Sequence, residues 1–566
     1  MDFLSKLITC IIMASSVSLR HTKGVVLLLA GSAALLVYFA YRNTLAAPPN
    51  EAFSSGDSTD KSAADDSTKA EQSPTQPKPI QPPKKLVDVD GEPKAAATQK
   101  KEDGKDEDDN ENDNDDDDED EESDCNPFER FRVIMDAVDL DKVKHAARIL
   151  RTQQQPHLAN VWDDPSRALD CTIAEERYCG SFNLVHVVQW SDGLKWILRI
   201  PGHGLEFDTN DVIRMNNEYR TMEYIRSTTT IPIPQVFFWE TDCERIGVPF
   251  AFMSFVEGQP LYTVWFELSD DARLGVLSSL AAYMSQLRKL EFPAMGMLHL
   301  EDLQTRPTVG PIYSRELELY DEGWGSHHVE GPYVSMSEQL LKLLAQMEEH
   351  SKSTDGVQGL LKMLVESIPK TFDGNGHFYP SPDDLNFQNI MVNEAGEITG
   401  IIDWDNVTTK PAAFGYARYP LWITRDWDPV YYEYSFGDFD RPDDVPDASR
   451  PEELLSYRRH YAAAFAALSP KDYDPLMTKA SHILEAICVA VNSRLSSGYI
   501  LGKIIAHAFG GNPPFTLPEY VESHEADDAD DKDKLIKVAF SRMWQEHEQW
   551  EQAEKRTWQF FSQGFK

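Results

Sequence analysis

Apolar positions along this chain change period several times, and each change marks an element. In NPFERFRVIMDAVDLDKVKHAARIL, residues 126–150, they recur at helical spacing. They alternate in FNLVHVVQW and again in LKWILRI, with Ser191-Asp192-Gly193 between, a pattern that predicts a β-hairpin. Val212, Met215, Tyr219, Met222 and Ile225 share one face of the helix expected next. IPIPQVFFWE and VPFAFMSFVEG read as two further strands, the first entered through Pro232 and Pro234, which favour an extended approach. Ser269 is the expected N-cap of a helix in DDARLGVLSSLAAYMSQLRKL. Helical and loop segments are expected from there to Ser381. NIMV and ITGIID predict a second hairpin turning at Ala395-Gly396. From Pro451 to Lys566 the chain is expected to be mainly helical, most clearly in PEELLSYRRHYAAAFAAL and KLIKVAFSRMWQEHEQWEQAEKRTWQFF. Strands first and helices afterwards indicate an α+β fold in two lobes.

The first quarter of the chain reads differently. GVVLLLAGSAALLVYFAY, residues 24–41, carries no charge over 18 positions and is flanked by Lys23 and Arg42, so a single membrane-spanning helix is expected there. Residues 1–23 form a candidate targeting segment. They are basic and nearly free of acids, as a mitochondrial presequence is, while Leu7 to Ala14 equally suits the core of a secretory signal. The expected localisation is therefore single-pass membrane, mitochondrial, with a secretory-pathway membrane as the alternative. Lys6, Arg20 and Lys23 bias the N-terminus toward cytosol or matrix. Residues 42–124, rich in Pro, Ser, Ala, Lys and Asp, hold too little apolar surface to offset ordering entropy and are expected to be a disordered acidic tether. The folded part is expected to occupy 125–566.

Composition narrows the function classes. The net charge of the 566-residue chain is −40, and Lys101 to Asp124 alone holds 17 acidic residues against 2 lysines. No basic cluster offsets this, which argues against a nucleic-acid partner. The six cysteines show no zinc-like spacing. They read as reduced or buried thiols, with a Cys171–Cys179 bridge left open by the sequence. Nothing in the sequence bears on oligomeric state.

The chemistry concentrates in SPDDLNFQNIMVNEAGEITGIIDWD, residues 381–405. Asp384 and Asn389 stand in the D-L-x-x-x-N spacing of a kinase catalytic loop, where the acid accepts a hydroxyl proton and the amide binds metal. Asp403 follows fourteen residues after Asn389, at the end of a short apolar run. The hairpin between them is expected to bring both to one Mg²⁺, which keeps its waters and bridges nucleotide phosphates. Taken singly, Asp384 and Asn389 also suit turn capping.

DLNFQNIMVNEAGEITGIIDWD resembles the signature of the aminoglycoside phosphotransferase (choline kinase-like) family, particularly its fungal-type members. WILRIP, NNEYRTMEYIRSTTTIPIPQV and PFAFMSFVEGQPL resemble its N-lobe in the expected order. The resemblance implies a protein-kinase-like two-lobed fold, with a small, mostly antiparallel, five-stranded β N-lobe and a larger helical C-lobe. It implies ATP- and Mg²⁺-dependent phosphorylation of a hydroxyl on a small-molecule substrate. Asp384 would be the catalytic base, Asn389 and Asp403 would hold Mg²⁺, and Asp405 would support them. Arg199 paired to Glu218 would grip the ATP phosphates, with Lys195 in reserve and Gly180, the one glycine of GSFN, in the phosphate loop. The adenine hinge would fall near Met253 to Val256. Where the family has a histidine two residues before its aspartate, this chain has Pro382, whose rigid ring is expected to order the loop instead. His377 is read as a surface residue of a glycine-rich turn. A kinase-like scaffold without turnover is the alternative, since fold does not establish activity. A protein kinase is disfavoured because no D-F-G or A-P-E segment follows Asp403. The acceptor is left unidentified: the acidic stretch RDWDPVYYEYSFGDFDRPDD, residues 425–444, reads first as a solvated loop, and as a substrate lining it would suit a cationic alcohol or amine.

Overall fold

The computed structural model describes residues 127–154, 169–303, 305–317, 324–348, 355–432, 434, 449–469, 475–525 and 529–564. The expected targeting segment, the membrane span at 24–41 and the tether at 42–124 lie outside these residues. Among the described residues, no helix is long and apolar enough to cross a membrane.

Alternation builds the first lobe. Strands β1 (Cys171–Cys179), β2 (Asn183–Trp190), β3 (Lys195–Pro201), β4 (Val236–Glu240) and β5 (Phe250–Ser254) form one antiparallel sheet in the order β1-β2-β3-β5-β4. The predicted hairpin is β2–β3, with Val187 opposite Ile197 and Gly193 supplying the positive φ its turn requires. One sheet face buries Trp190, Trp196, Phe250 and Phe252 against Phe131, Ile134 and helix α1 (Leu140–Gln154). Fully buried side chains of this size contribute roughly 1.5–3 kcal/mol each. The opposite face supplies Ala251, Met253 and Val236 to a second core, where Met215, Tyr219, Met222 and Ile225 of helix α2 (Thr209–Thr228) meet them. Helix α2 starts sharply because Asp208 accepts from the Asn210 and Asp211 amides while Asp211 accepts from the Asp208 amide.

After β5 the chain crosses to the second lobe. Strand β6 (Gln259–Pro260) pairs with β7 (Ile390–Val392), and β7 pairs with β8 (Ile398–Ile401), so the crossing is stitched to the predicted second hairpin. Gly258 makes the close approach feasible: its φ is +118°, and an added Cβ would stand 2.4 Å from the Val392 carbonyl oxygen. Helices α3 (Asp270–Met284), α4 (Met336–Glu348), α5 (Asp355–Glu366), α6 (Pro451–Leu468), α7 (Ser481–Asn492), α8 (Arg494–Ala508), α9 (Leu517–Glu525), α10 (Asp530–Gln545) and α11 (Trp550–Gly564) make up most of this lobe. Ser269 caps α3 as expected, accepting from the Ala272 amide at 3.3 Å. The architecture is the expected α+β, a β-rich N-lobe over a larger helical C-lobe.

Two expectations are corrected, and one open question is answered. The stretch from Gly296 to Glu330 contains strands at Gly296–His299, Thr308–Gly310, Ile312–Leu317 and Trp324–Glu330, where helices and loops were expected. These segments are short and rich in polar residues, so their alternation is weak, and pairing partners decide the conformation. The last helical stretch is two helices, α10 and α11, with a break at residues 546–549. Cys171 and Cys179 are free thiols at opposite ends of one strand, a geometry that keeps them from bridging.

Candidate functional site

The β7–β8 hairpin carries the loop chemistry at its two ends. Residues 387–389 form a single 3₁₀ turn, which leads from Asp384 into β7 and places Asn389 at the strand's mouth. On the return, Ile402 donates its amide to the Asn389 carbonyl at 2.9 Å, so the chain entering Asp403 is bonded to the chain leaving the loop. Asp403 and Asn406 both adopt left-handed backbone, with φ of 58° and 53°. Non-glycine residues there cost on the order of 1 kcal/mol, and Asp and Asn tolerate it best. Between the acids, Trp404 is buried and donates its indole N–H to the Ile401 carbonyl at 2.8 Å. That anchor fixes Asp403 and Asp405 on either side.

Asp384 accepts two hydrogen bonds on Oδ2, from Gln388 Nε2 and Asn389 Nδ2, each at 3.0 Å. The Asn389 amide nitrogen also donates to the Asp384 carbonyl at 3.0 Å, which commits that end of the amide to the loop and leaves its oxygen as a donor atom for a cation. Burial raises the Asp384 pKa to about 6, against the lowering influence of Arg418. Burial, then the charge of Asp405, raises Asp403 to about 7; Arg199 opposes the rise and Asp384 adds to it. Of the Asp403 side chain, 48% stays accessible to solvent. Asp405 behaves oppositely: burial alone would raise it, but the Arg199 guanidinium bonded to it holds it below the usual carboxylate range.

Arg199, on β3 opposite Val185 and Ala251, reaches this group from the N-lobe. Its Nη2 bonds Asp405 and lies 3.7 Å from Asp403, and its Nη1 donates to the Tyr219 hydroxyl at 3.2 Å. The expected Arg199–Glu218 pair is not made. Arg214, one turn earlier on α2, takes Glu218 at 3.2 Å, the i,i+4 geometry of neighbouring helical positions. Glu218 also accepts the Asn406 amide at 3.1 Å. The helix carboxylate thus holds the acid-bearing loop, while two loop acids hold the strand cation. Lys195 is engaged elsewhere, 3.5 Å from Glu257 and over the Phe255 ring at the lobe crossing.

Gly180 precedes β2, and its amide donates to the Asn183 carbonyl at 3.0 Å. An added Cβ there would meet nothing within 4 Å, so steric need does not explain the glycine. Asn183 reaches further than the sequence suggested, donating Nδ2 to Asp405 at 3.2 Å.

The feature that sequence reasoning missed is Arg418. Buried, it donates from Nη2 to the carbonyls of Pro382, at 3.1 Å, and Asp383. Its Nη1 bonds Glu485 at 3.3 Å. The loop expected to be ordered by the Pro382 ring is ordered by a guanidinium as well, and Lys410 pins the Asp383 side chain. Asp383 and Arg418 are 35 residues apart, and a lone arginine in AFGYARYP carries no motif that would announce it. His377, as expected, is a surface residue; it pairs with Glu291 at 2.9 Å.

Among the described residues, no group of three or more His, Cys, Asp or Glu side chains is arranged to hold a metal. One carboxylate and one amide oxygen are nonetheless the hard, oxygen-only set that Mg²⁺ takes from protein when phosphates and waters complete its shell.

The sequence pattern of the phosphotransferase enzyme family matches residues 180–454. A subtelomeric hrmA-associated cluster protein of Aspergillus fumigatus is 29% identical over 150 residues, covering 24% of this chain and 28% of that protein. Altered inheritance of mitochondria protein 9 of Saccharomyces cerevisiae is 20% identical over 361 residues, covering 52% of this chain and 57% of that one. This chain thus spans about a quarter to a little over half of these relatives' lengths. Macrolide 2'-phosphotransferase MphH of Brachybacterium faecium superposes with a TM-score of 0.34 at 14% identity, covering 59% of this chain and 89% of its own.

Proposed function

Since residues 180–454 belong to the phosphotransferase enzyme family, we propose that this protein transfers the terminal phosphoryl group of ATP to a hydroxyl of a small molecule, with Mg²⁺ as cofactor. The observation that carries the reading is the hairpin-borne set Asp384, Asn389 and Asp403, with Arg199 of the opposite lobe bonded to Asp405 and 3.7 Å from Asp403. Asn389 and Asp403 would hold Mg²⁺. Bound there, the ion would neutralise the phosphate oxygens.

The residues divide the work. Asp384, oriented by Gln388 and Asn389, accepts the proton of the acceptor hydroxyl as its oxygen bonds the terminal phosphorus and ADP leaves. With a pKa of about 6 it is ionised at neutral pH yet remains a competent base. Arg199 exchanges Asp405 for phosphate oxygens, which its planar fork suits. Glu218 and Asn183, bonded to Asn406 and Asp405, keep the acid-bearing loop registered against the N-lobe. Arg418 positions the loop backbone at Pro382 and Asp383.

A mitochondrial location, with residues 24–41 as a single membrane span and 42–124 as the tether, belongs to the same proposal. It is supported by the name of the yeast relative and by the basic, acid-poor residues 1–23.

The test is Mg²⁺-dependent ADP release by the purified protein and by Asp384→Ala and Asp403→Ala. Each substitution is expected to lower kcat by about 10²–10⁴-fold, the usual worth of a positioned base or charge stabiliser. Turnover at the wild-type rate in both variants overturns the site; ATP binding without any turnover favours the scaffold reading.

A further inference from the structure

One cation beside the loop stands apart from every other charge near the site. Arg425 lies in a 3₁₀ turn at Arg425–Trp427, and its guanidinium stacks over Phe387, inside the D-L-x-x-x-N segment, at 4.5 Å from the ring centre. It also lies 5.2 Å from the Tyr432 ring. In a chain with 94 acidic residues, it makes no ion pair and no side-chain hydrogen bond among the described residues, and its Nε is buried without a partner. The neighbouring acids are already committed. Asp426 is bonded to Arg458 and lies 3.6 Å from Lys503, and Asp428 accepts the Tyr431 amide. Phe387 follows Asp384 by three residues in the same segment, so the arginine lies over the loop that carries the proposed base.

We propose that Arg425 binds an oxyanion on the acceptor substrate, a phosphate ester or a carboxylate, while Asp384 faces the hydroxyl to be phosphorylated. This rests on the phosphotransferase reading and differs from the cationic acceptor that the acidic residues of 425–444 would suit. A guanidinium held over aromatic rings keeps its charge and its N–H groups for a bidentate partner, and the ring contacts pre-order it. Burial lowers its pKa, and the only opposing influences come from the two tyrosines; a bound anion would supply the missing charge.

The experiment uses the full chain saturated with AMP-PNP and Mg²⁺, so that nucleotide phosphate positions are filled. Glycerol, glycerol 3-phosphate and glycerate are titrated calorimetrically into wild type, Arg425→Gln and Arg425→Lys. At least one anionic probe is expected to bind tenfold or more tighter than glycerol. That preference should vanish in Arg425→Gln and partly return in Arg425→Lys, with AMP-PNP affinity equal in all three. Preference for the ester or for the acid identifies the oxyanion. An unchanged preference in Arg425→Gln, or no preference for either anion in the wild type, overturns the proposal. Failure of the wild type to bind AMP-PNP strikes the phosphotransferase reading instead, and the same titrations without nucleotide then decide the role of Arg425 by the same two outcomes.

Discussion

Replacing Arg418 by methionine isolates what orders the loop around the proposed base. Methionine fills a similar volume without donors or charge. The substitution removes two charge-assisted hydrogen bonds, to the Pro382 and Asp383 carbonyls, each worth about 1.5–3 kcal/mol. Part of that is returned, because the arginine is itself a buried cation whose one acid partner, Glu485, is 28% exposed. A net loss of about 3 kcal/mol is expected, measurable by urea denaturation. A second effect separates positioning from stability alone. Arg418 is the largest influence holding the Asp384 pKa down against burial, so its removal moves that pKa upward from about 6. The acid limb of the kcat/KM profile should shift to higher pH, with the activity deficit larger at pH 6 than at pH 8. Arg418→Lys, which keeps the charge and loses the fork, should retain the limb and lose part of the stability. A stability change under about 1 kcal/mol with an unmoved acid limb would refute the reasoning.

Two further outcomes follow from named groups. Metal must displace the proton from Asp403, whose pKa is raised to about 7, so Mg²⁺ affinity measured calorimetrically should be roughly tenfold weaker at pH 6 than at pH 8. The same raised value means that the metal-free fold loses stability as pH rises from the usual aspartate range to about 7, a small effect for a half-exposed side chain; flat Mg²⁺ affinity across this interval would contradict the assignment. Arg458, fully buried, bonds Asp426 at 2.8 Å and Glu554, tying α11 to the segment that bears Arg425. Arg458→Met leaves two buried carboxylates to Lys503 and should cost about 3–5 kcal/mol in denaturant unfolding, whereas a cost under about 1 kcal/mol would show that the cluster is not needed for the fold.

What could be read from the sequence was local. The β2–β3 and β7–β8 hairpins were legible because alternation and turn residues sit within one short window. The turn after Asp384 and the hairpin between Asn389 and Asp403 were legible because their spacing is set before any tertiary contact is made. Partner choice was not. Glu218 is within reach of Arg199 by motif, yet Arg214 is four residues away on the same helix and wins by proximity. Arg418 acts on backbone carbonyls 35 and 36 residues distant, and carbonyls leave no trace in a side-chain pattern. Arg425 became notable only when its neighbours' acids were seen bonded to other groups. The strands between Gly296 and Glu330 escaped notice because each is short and its identity depends on the strand it meets.

The central claim is that Asn389 and Asp403 converge on one divalent ion beside Asp384. Anomalous diffraction from crystals grown with Mn²⁺ and AMP-PNP tests it most directly. The account predicts a single metal peak at coordination distance, about 2.0–2.3 Å, from the Asn389 side-chain oxygen and the Asp403 carboxylate, with the Arg199 guanidinium moved from Asp405 onto phosphate. A metal bound at other residues, with Arg199 still bonded to Asp405, would contradict it.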